Sequence, residues 1–229
     1  ANLAQKKEAA VDLLISLLLS PVGITLLSYL LGSMSFAVII SRLMGLNDPR
    51  SYGSKNPGAT NVLRSGNKPA AILTLLLDAI KGWVPVVWVL NHGAAFDLGA
   101  GTAAAAGLAV FLGHLYPVFF RFQGGKGVAT ALGVLMGVHP LLGLATALTW
   151  LIIAWFFRYS SLAALLCAIF APVYYAFGGD VVWAFQGSIL GLLLVMGVLL
   201  IWRHLENINR LFAGKESKLG SKKSAGPGA

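Results

Sequence analysis

The sequence predicts an all-α integral membrane protein of seven transmembrane helices, with its chemistry in cytoplasmic loops. Three observations predict this. First, the 229 residues are 57% hydrophobic and only 11% charged, against about 25% charged in soluble domains. Second, the apolar stretches are long enough to span a bilayer and are continuous in Leu, Ala, Val and Gly. A β-barrel would instead alternate polar and apolar residues in short strands. Third, the basic residues cluster between alternate apolar stretches.

The elements follow in order. Residues 1–20 form an N-terminal extension in which Lys6 and Lys7 precede an apolar run. Glu8 and Asp12 interrupt it, no A-x-A-like site follows, and the apolar run outlasts a signal-peptide core. Residues 8–20 therefore read as an interfacial helix broken near Pro21. A single transmembrane domain follows over 21–214. Its spans are expected at 22–44, 69–90, 98–119, 127–138, 140–157, 161–177 and 181–202. The fourth is short for a full crossing at about 1.5 Å per residue. Glycines inside the spans suit close helix–helix contact. The tail, residues 215–229, is rich in Gly, Ser and Lys and reads as disordered and cytoplasmic.

Charge orients these spans. With seven crossings, Arg42, Arg50, Lys55, Arg64, Lys68, Arg121, Lys126, Arg158, Arg203, Arg210, Lys215, Lys218, Lys222 and Lys223 share one side. Of the 17 basic residues only Lys6, Lys7 and Lys81 fall elsewhere. Basic loops stay cytoplasmic, so the N-terminus is expected outside and the C-terminus inside. The net charge of +9 is thereby assigned to topology, and no nucleic-acid partner is expected. Cys167 is the only cysteine, which excludes an internal disulfide and a cysteine metal cluster. No metal or cofactor is expected.

Every polar, glycine-rich loop falls on the basic side. In "GSKNPGATNVLR" (53–64), Gly53 and Gly58 permit unusual backbone angles. Ser54, Asn56, Thr60 and Asn61 add hydroxyl and amide groups, and Arg64 can grip a phosphate with two prongs. In "GGKG", Gly124, Gly125 and Gly127 allow close backbone approach, while Lys126 supplies a point charge. This is not a Walker A loop, because Gly follows the lysine where Ser or Thr is required. "RYSS" (158–161) contributes Ser161. In "RHLENINR" (203–210), His204 and Asn207 are spaced to share a helix face. Asp78 and Lys81 sit inside the second span at i, i+3 and read as a structural ion pair. His92 and Asp97 have an H-x₄-D acyltransferase spacing, but they lie in a short outer loop without basic residues and do not read as a catalytic pair.

Taken together, these segments resemble the PlsY family of bacterial membrane acyltransferases. The resemblance rests on "GS" at 32–33, "GLNDPRSYGSKNPGATNVLR" at 45–64, "DAIKG" at 78–82, "GHLYPVFFRFQGGKGVAT" at 113–130, "RYSSL" at 158–162 and "RHLENINRLFAGKESK" at 203–218. It implies seven transmembrane helices in the bacterial inner membrane and a cytoplasmic active site. It implies transfer of the acyl group of acyl phosphate to glycerol 3-phosphate, giving 1-acylglycerol 3-phosphate (lysophosphatidate) and phosphate, the first step of phospholipid synthesis. By the same resemblance Ser54, Gly58, Thr60 and Ser161 would contact acyl phosphate, and Asn61 would shape that pocket. Arg64, Lys126, His204 and Asn207 would hold the phosphates or glycerol 3-phosphate. Association with the enzyme that supplies acyl phosphate is also implied. The chain departs from the family at Lys55 and Arg121, where Gly is frequent, and at Gln123, where Lys is frequent. Two other readings fit a phosphate-friendly membrane protein, a transporter for a phosphorylated solute and a lipid-binding scaffold. A transport site needs mid-membrane polar groups with access from both sides, and here the polar groups gather at one face.

Overall fold

The structure, a computed structural model, describes residues 3–220. Among them there is no β-strand, only an isolated bridge between Gly179 and Trp183. The helices are α1 (Leu3–Leu18), α2 (Pro21–Gly32), α3 (Phe36–Leu43), α4 (Ala59–Leu63), α5 (Lys68–His92), α6 (Ala100–Leu115), α7 (Val128–Val138), α8 (Pro140–Phe157), α9 (Ser160–Gly178), α10 (Gly187–Arg203) and α11 (Leu205–Phe212). Short 3₁₀ turns follow α5 at Gly93–Phe96 and α6 at Val118–Phe120.

Local sequence sets several starts. Ser20 accepts from the Gly23 N–H at 3.1 Å, with Pro21 opening α2. Asn67 accepts from the Ala70 N–H at 2.9 Å at the head of α5. His139 Nδ1 accepts from the Leu141 N–H at 3.3 Å, with Pro140 opening α8. In each case a side chain satisfies a backbone donor that the first turn leaves free, and proline sits where its missing N–H is harmless.

The protein is integral to a membrane by its apolar helices. Among the described residues, four segments are long and apolar enough to cross one: Lys68–Phe96, Ala100–Phe120, Pro140–Phe157 and Ser160–Gly178. The number rises to six if two bent pairs each count as one span: α1 with α2 at 69°, and α10 with α11 at 57°. The fourth expected span is the short helix α7. Two expected boundaries are corrected. The stretch 22–44 is two helices broken at Ser33–Ser35, and the last long helix begins at Gly187, not at Val181.

The break at Ser33–Ser35 has a tertiary cause. Lys81 Nζ donates to the Met34 carbonyl at 2.7 Å, and Ser33 Oγ accepts from the Val118 N–H at 3.3 Å. The Met34 carbonyl, released from the helix, is thus given a partner, a condition for interrupted helices in lipid, and the Ser33 hydroxyl satisfies a backbone N–H of the turn after α6. Lys81 also pairs with Asp78 at 2.7 Å, both side chains almost fully buried, which agrees with the structural ion pair expected there.

Helices approach closely where glycine removes the side chain. A Cβ on Gly133 of α7 would strike the Ala79 carbonyl of α5, and one on Gly82 of α5 would strike the Thr130 carbonyl of α7. Gly32 of α2 and Gly113 of α6 meet in the same reciprocal way. Around these crossings Val86, Val110, Phe111, Val134, Leu192 and Met196 form one core cluster. A smaller cluster of Ala37, Ile40, Val62, Ala70 and Ala71 ties α3, α4 and α5 together beneath the loop at 44–58.

The two ends of the bundle differ. At one end His139, Tyr175 and Trp183 pack their rings, with centroids 5.1 Å apart for His139–Trp183 and 5.9 Å for Tyr175–Trp183. The other end gathers the polar loops.

Candidate active site

Asn61, on α4, organises the loop at 53–64. It is buried and uses all of its amide. Its Nδ2 donates to the carbonyls of Pro49 at 2.6 Å and Tyr52 at 3.2 Å. Its Oδ1 accepts from the Ser54 N–H at 3.0 Å and from Arg64 Nη1 at 3.3 Å. Gly53 is in the left-handed region at φ 60°, and a Cβ there would strike Asn61 Oδ1. The Asn61 fold of the loop therefore requires glycine at that position. Gly58, extended, caps α4, with Asn56 beside it. The side chains of Ser54, Thr60 and Arg64 are exposed at the loop surface.

Two of the departures noted in the sequence have a backbone meaning. Lys55 at φ 55° and Arg121 at φ 54° are both left-handed. That region is costless for glycine and unfavourable for other residues.

The glycine loop before α7 lies against this first loop, since a Cβ on Gly125 would come 2.8 Å from the Pro57 carbonyl. The Gly125 N–H donates to the His114 carbonyl at 3.1 Å. Arg203, at the end of α10, donates to the carbonyls of Gly124 at 3.1 Å and Gly125 at 3.1 Å. It also lies 5.9 Å from the centre of the Tyr116 ring. Gly127, at φ 84°, precedes α7 as its N-cap, and a Cβ there would strike the Phe111 ring.

Lys126 leaves this loop toward α11. Its Nζ donates to Asn207 Oδ1. Asn207 Nδ2 in turn donates to Glu216 Oε1 at 2.6 Å, and Ser161 Oγ donates to the same oxygen at 2.7 Å. Arg210 Nε donates to Glu216 Oε2 at 2.7 Å. His204 is buried at the junction of α10 and α11, its Nδ1 donating to the Leu200 carbonyl at 2.8 Å. Burial pushes the Lys126 ammonium down to about 8, and the neighbouring Arg210 adds to this; Glu216 and Glu206 oppose the shift. Burial would raise the Glu216 carboxyl, but the bonds from Ser161, Arg210 and Asn207 outweigh it and hold the group below its ordinary range.

The expected site residues thus fall into two adjoining groups. Gly53, Ser54, Asn56, Gly58, Thr60, Asn61 and Arg64 form one. Gly124, Gly125, Lys126, Gly127, Ser161, His204 and Asn207 form the other, joined to the first where Gly125 meets Pro57. His92 and Asp97 lie at and beyond the C-terminal end of α5, a helix about 37 Å long whose other end follows α4. Arg203, Arg210 and Glu216 were not singled out from the sequence as contributors. The spacing of Arg203, Asn207 and Arg210 at i, i+4 and i+7 was the available signal. Glu216 gave none. Its segment, expected as tail, carries named contacts through Leu219, and residues 221–229 lie outside the described part.

The second group offers hydroxyl, amide and guanidinium donors to one carboxylate, Glu216, with the Lys126 ammonium bonded to the same Asn207, beside apolar helices. Comparison with known proteins agrees. The family model described as glycerol-3-phosphate acyltransferase matches residues 22–214. A glycerol-3-phosphate acyltransferase of Albidiferax ferrireducens is 63% identical over 202 residues, covering 88% of this chain and 90% of its own. One from Burkholderia pseudomallei is 63% identical over 207 residues, covering 88% and 97%. The crystal structure of PlsY, an integral membrane glycerol 3-phosphate acyltransferase, in its glycerol 3-phosphate form superposes with a TM-score of 0.80 at 41% identity, covering 87% of this chain and 96% of that one. The lysophosphatidic acid form gives 0.77 at 40% identity, covering 87% and 95%. By sequence over most of its length and by fold, the chain belongs to the glycerol-3-phosphate acyltransferase family.

Proposed function

We propose that this acyltransferase takes its acyl group from acyl phosphate, and that it works at the cytoplasmic face of the bacterial inner membrane with its N-terminus outside. The observation that carries the reading is the convergence of Lys126 (through Asn207), Ser161, Asn207 and Arg210 on one carboxylate. Donors that seat a carboxylate together also suit a phosphoryl group. The relatives support the acceptor, since the PlsY structures are named for glycerol 3-phosphate and for lysophosphatidic acid.

The chemistry needs no protein nucleophile. A hydroxyl oxygen of glycerol 3-phosphate attacks the acyl carbonyl carbon. The bond from that carbon to the phosphate oxygen breaks, and its electron pair leaves with phosphate. The hydroxyl proton passes to the departing phosphate. The protein's tasks are to orient two anions against their repulsion and to stabilise the leaving charge. In this proposal Ser54, Gly58, Thr60 and Ser161 face acyl phosphate, within a loop shaped by Asn61. Arg64, Lys126, His204 and Asn207 hold the phosphates or glycerol 3-phosphate. Partnership with the enzyme that makes acyl phosphate belongs to the same proposal.

The test is a product assay on purified protein with glycerol 3-phosphate and three rival donors: acyl phosphate, acyl-CoA and acyl carrier protein thioester. Lysophosphatidate formed from acyl phosphate alone is expected. Equal or faster turnover with either thioester overturns the donor assignment.

A further inference from the structure

We propose that the cavity between the end of α3, the loop at 44–58 and the turn after α6 seats the phosphate of an anionic membrane phospholipid, with Arg42 and Arg121 as its ligands. Its walls include none of the residues assigned above to acyl transfer. The inference does not depend on the acyl donor or on the orientation in the membrane.

The cavity has a volume of about 550 Å³, within the usual range of small-ligand sites, about 300–1,000 Å³. Three guanidinium groups line it, those of Arg42, Arg50 and Arg121, against the single carboxylate of Asp48. Arg50 occupies that carboxylate with both prongs, Nη2 to Oδ2 at 2.7 Å and Nε to Oδ1 at 3.0 Å. It also lies 5.9 Å from the centre of the Phe120 ring. Among the described residues, no carboxylate lies within ion-pair distance of Arg42 or Arg121. Two fork-shaped cations therefore face one cavity with their charges uncompensated. A phosphate can accept from both, because its oxygens match the planar fork of a guanidinium.

The position of the cavity selects a lipid over a free anion. The apolar segment Ala100–Phe120 ends in its wall, and Arg42 stands in the last turn of α3. It therefore sits where an apolar span gives way to the polar end of the bundle. Beside it the rings of Phe119 and Phe122 are 61% and 58% exposed. Acyl chains can lie on those rings while the phosphate enters the cavity; a free phosphate gains nothing from them. Basic pockets at such helix ends attract anionic headgroups.

The backbone holds the charge in place at a cost. Arg121 and Phe122 are consecutive left-handed residues, at φ 54° and 59°, a conformation unfavourable for any residue with a Cβ. Glycine would adopt it freely. The strained pair gives its cation to the cavity and its ring to the exposed apolar face. Both neighbouring loops share the walls. Gln123 lines the cavity and directly precedes Gly124, and Pro49, between Asp48 and Arg50, accepts from Asn61. A seated lipid therefore braces both loops.

The experiment titrates full-length protein in detergent with phosphatidylglycerol and with phosphatidylcholine of the same acyl chains, and counts bound lipid by native mass spectrometry. Wild type is expected to hold phosphatidylglycerol about tenfold more tightly than phosphatidylcholine, the scale of one hydrogen bond to a charged group. Arg121→Gly should remove most of that preference while keeping the fold, since glycine suits the backbone there. Lys55→Gly is the control. It removes a cation from the same end of the bundle and from the same backbone conformation, φ 55°, but outside the cavity. It should leave the preference intact. Equal binding of the two lipids, an unchanged preference in Arg121→Gly, or equal losses in both variants overturns the proposal. Excess inorganic phosphate and excess glycerol 3-phosphate should each leave the lipid bound. Release by the first assigns the cavity to a free anion, and release by the second makes it part of the substrate site; either result overturns the lipid assignment. A second measurement follows unfolding. A ligand that binds only the folded state raises the unfolding temperature, so added phosphatidylglycerol should raise it more for wild type than for Arg121→Gly. Equal shifts overturn the proposal.

Discussion

Lys126 holds a charge in surroundings that resist it. Burial is the main cause and Arg210 the second, and together they bring the ammonium from 10.5 to about 8. In the proposed reaction the charged form stabilises departing phosphate. A depressed lysine is charged below its folded value and neutral above it, so the rate should fall as pH rises through about 8. The fall should approach tenfold per pH unit on the alkaline side, as for loss of one essential proton. Measuring kcat from neutral to alkaline pH checks this, and a flat profile would contradict it. Lys126→Ala should lower kcat about 10²–10³-fold, the cost of losing one oriented charge-stabilising donor. At this scale the sequence was informative where chemistry is concentrated. Lys126 stood among glycines, Ser161 followed a basic turn, and Asn207 shared a face with His204. It was uninformative where a residue acts by orienting another. Arg203 donates to the carbonyls of Gly124 and Gly125, and Glu216 accepts from an amide nine residues away and a hydroxyl 55 away. Neither relation leaves a local pattern.

Elements place these side chains, and the crossing of α5 with α7 bears most directly on Lys126, which lies two residues before α7. Gly133 and Gly82 each face a carbonyl of the other helix. A larger residue at Gly133 must push the helices apart, and overpacking of this kind costs about 1–3 kcal/mol. Gly133→Leu should therefore lower the unfolding temperature in detergent and also reduce activity by moving the start of α7. Gly101→Leu is the control, since a Cβ at Gly101 of α6 meets nothing within 4 Å; it should leave both readouts near wild type. Equal effects of the two substitutions would refute the argument. The long helices α5, α6, α8 and α9 were legible as apolar runs bounded by proline, asparagine and glycine. The break at Ser33–Ser35 was not, because hydropathy is continuous across it. It exists because Lys81 and Val118, distant in sequence, supply partners to Met34 and Ser33. The late start of α10 was hidden for a related reason. Residues 181–185 are apolar, yet Trp183 donates to the Tyr175 carbonyl at 2.9 Å, and Asp180 accepts from the Phe185 N–H at 2.9 Å. That turn has its own hydrogen bonds and does not continue as helix.

For the whole molecule, the governing feature is asymmetry between the two ends of the bundle. One end joins the loops that contain Lys126, Ser161 and Asn207 by hydrogen bonds, and the loop that contains Asn61 by the close approach of Gly125 to the Pro57 carbonyl. The other is closed by the rings of His139, Tyr175 and Trp183. A phosphorylated, water-soluble acceptor must reach the first end without crossing lipid, and basic loops are retained in the cytoplasm. All four loops should therefore open to one compartment. Single cysteines at Ser51, Gln123 and Glu206 test this, being exposed at the polar end, with Ala95 and Val181 exposed at the other. Native Cys167 is buried, its Sγ donating to the Thr146 carbonyl at 3.4 Å, so it should remain silent toward a membrane-impermeant thiol reagent. In right-side-out vesicles the cysteines at 95 and 181 should label at once. Those at 51, 123 and 206 should label only after the vesicles are opened. Labelling of 51, 123 and 206 from different sides would separate loops that Gly125, Arg203 and Asn207 bring together, and no single site could then hold both anions. Uniform labelling of those three from outside would keep the site intact but reverse its orientation. The acyl donor would then have to come from the outer compartment, contrary to the cytoplasmic supply that the proposed reaction requires.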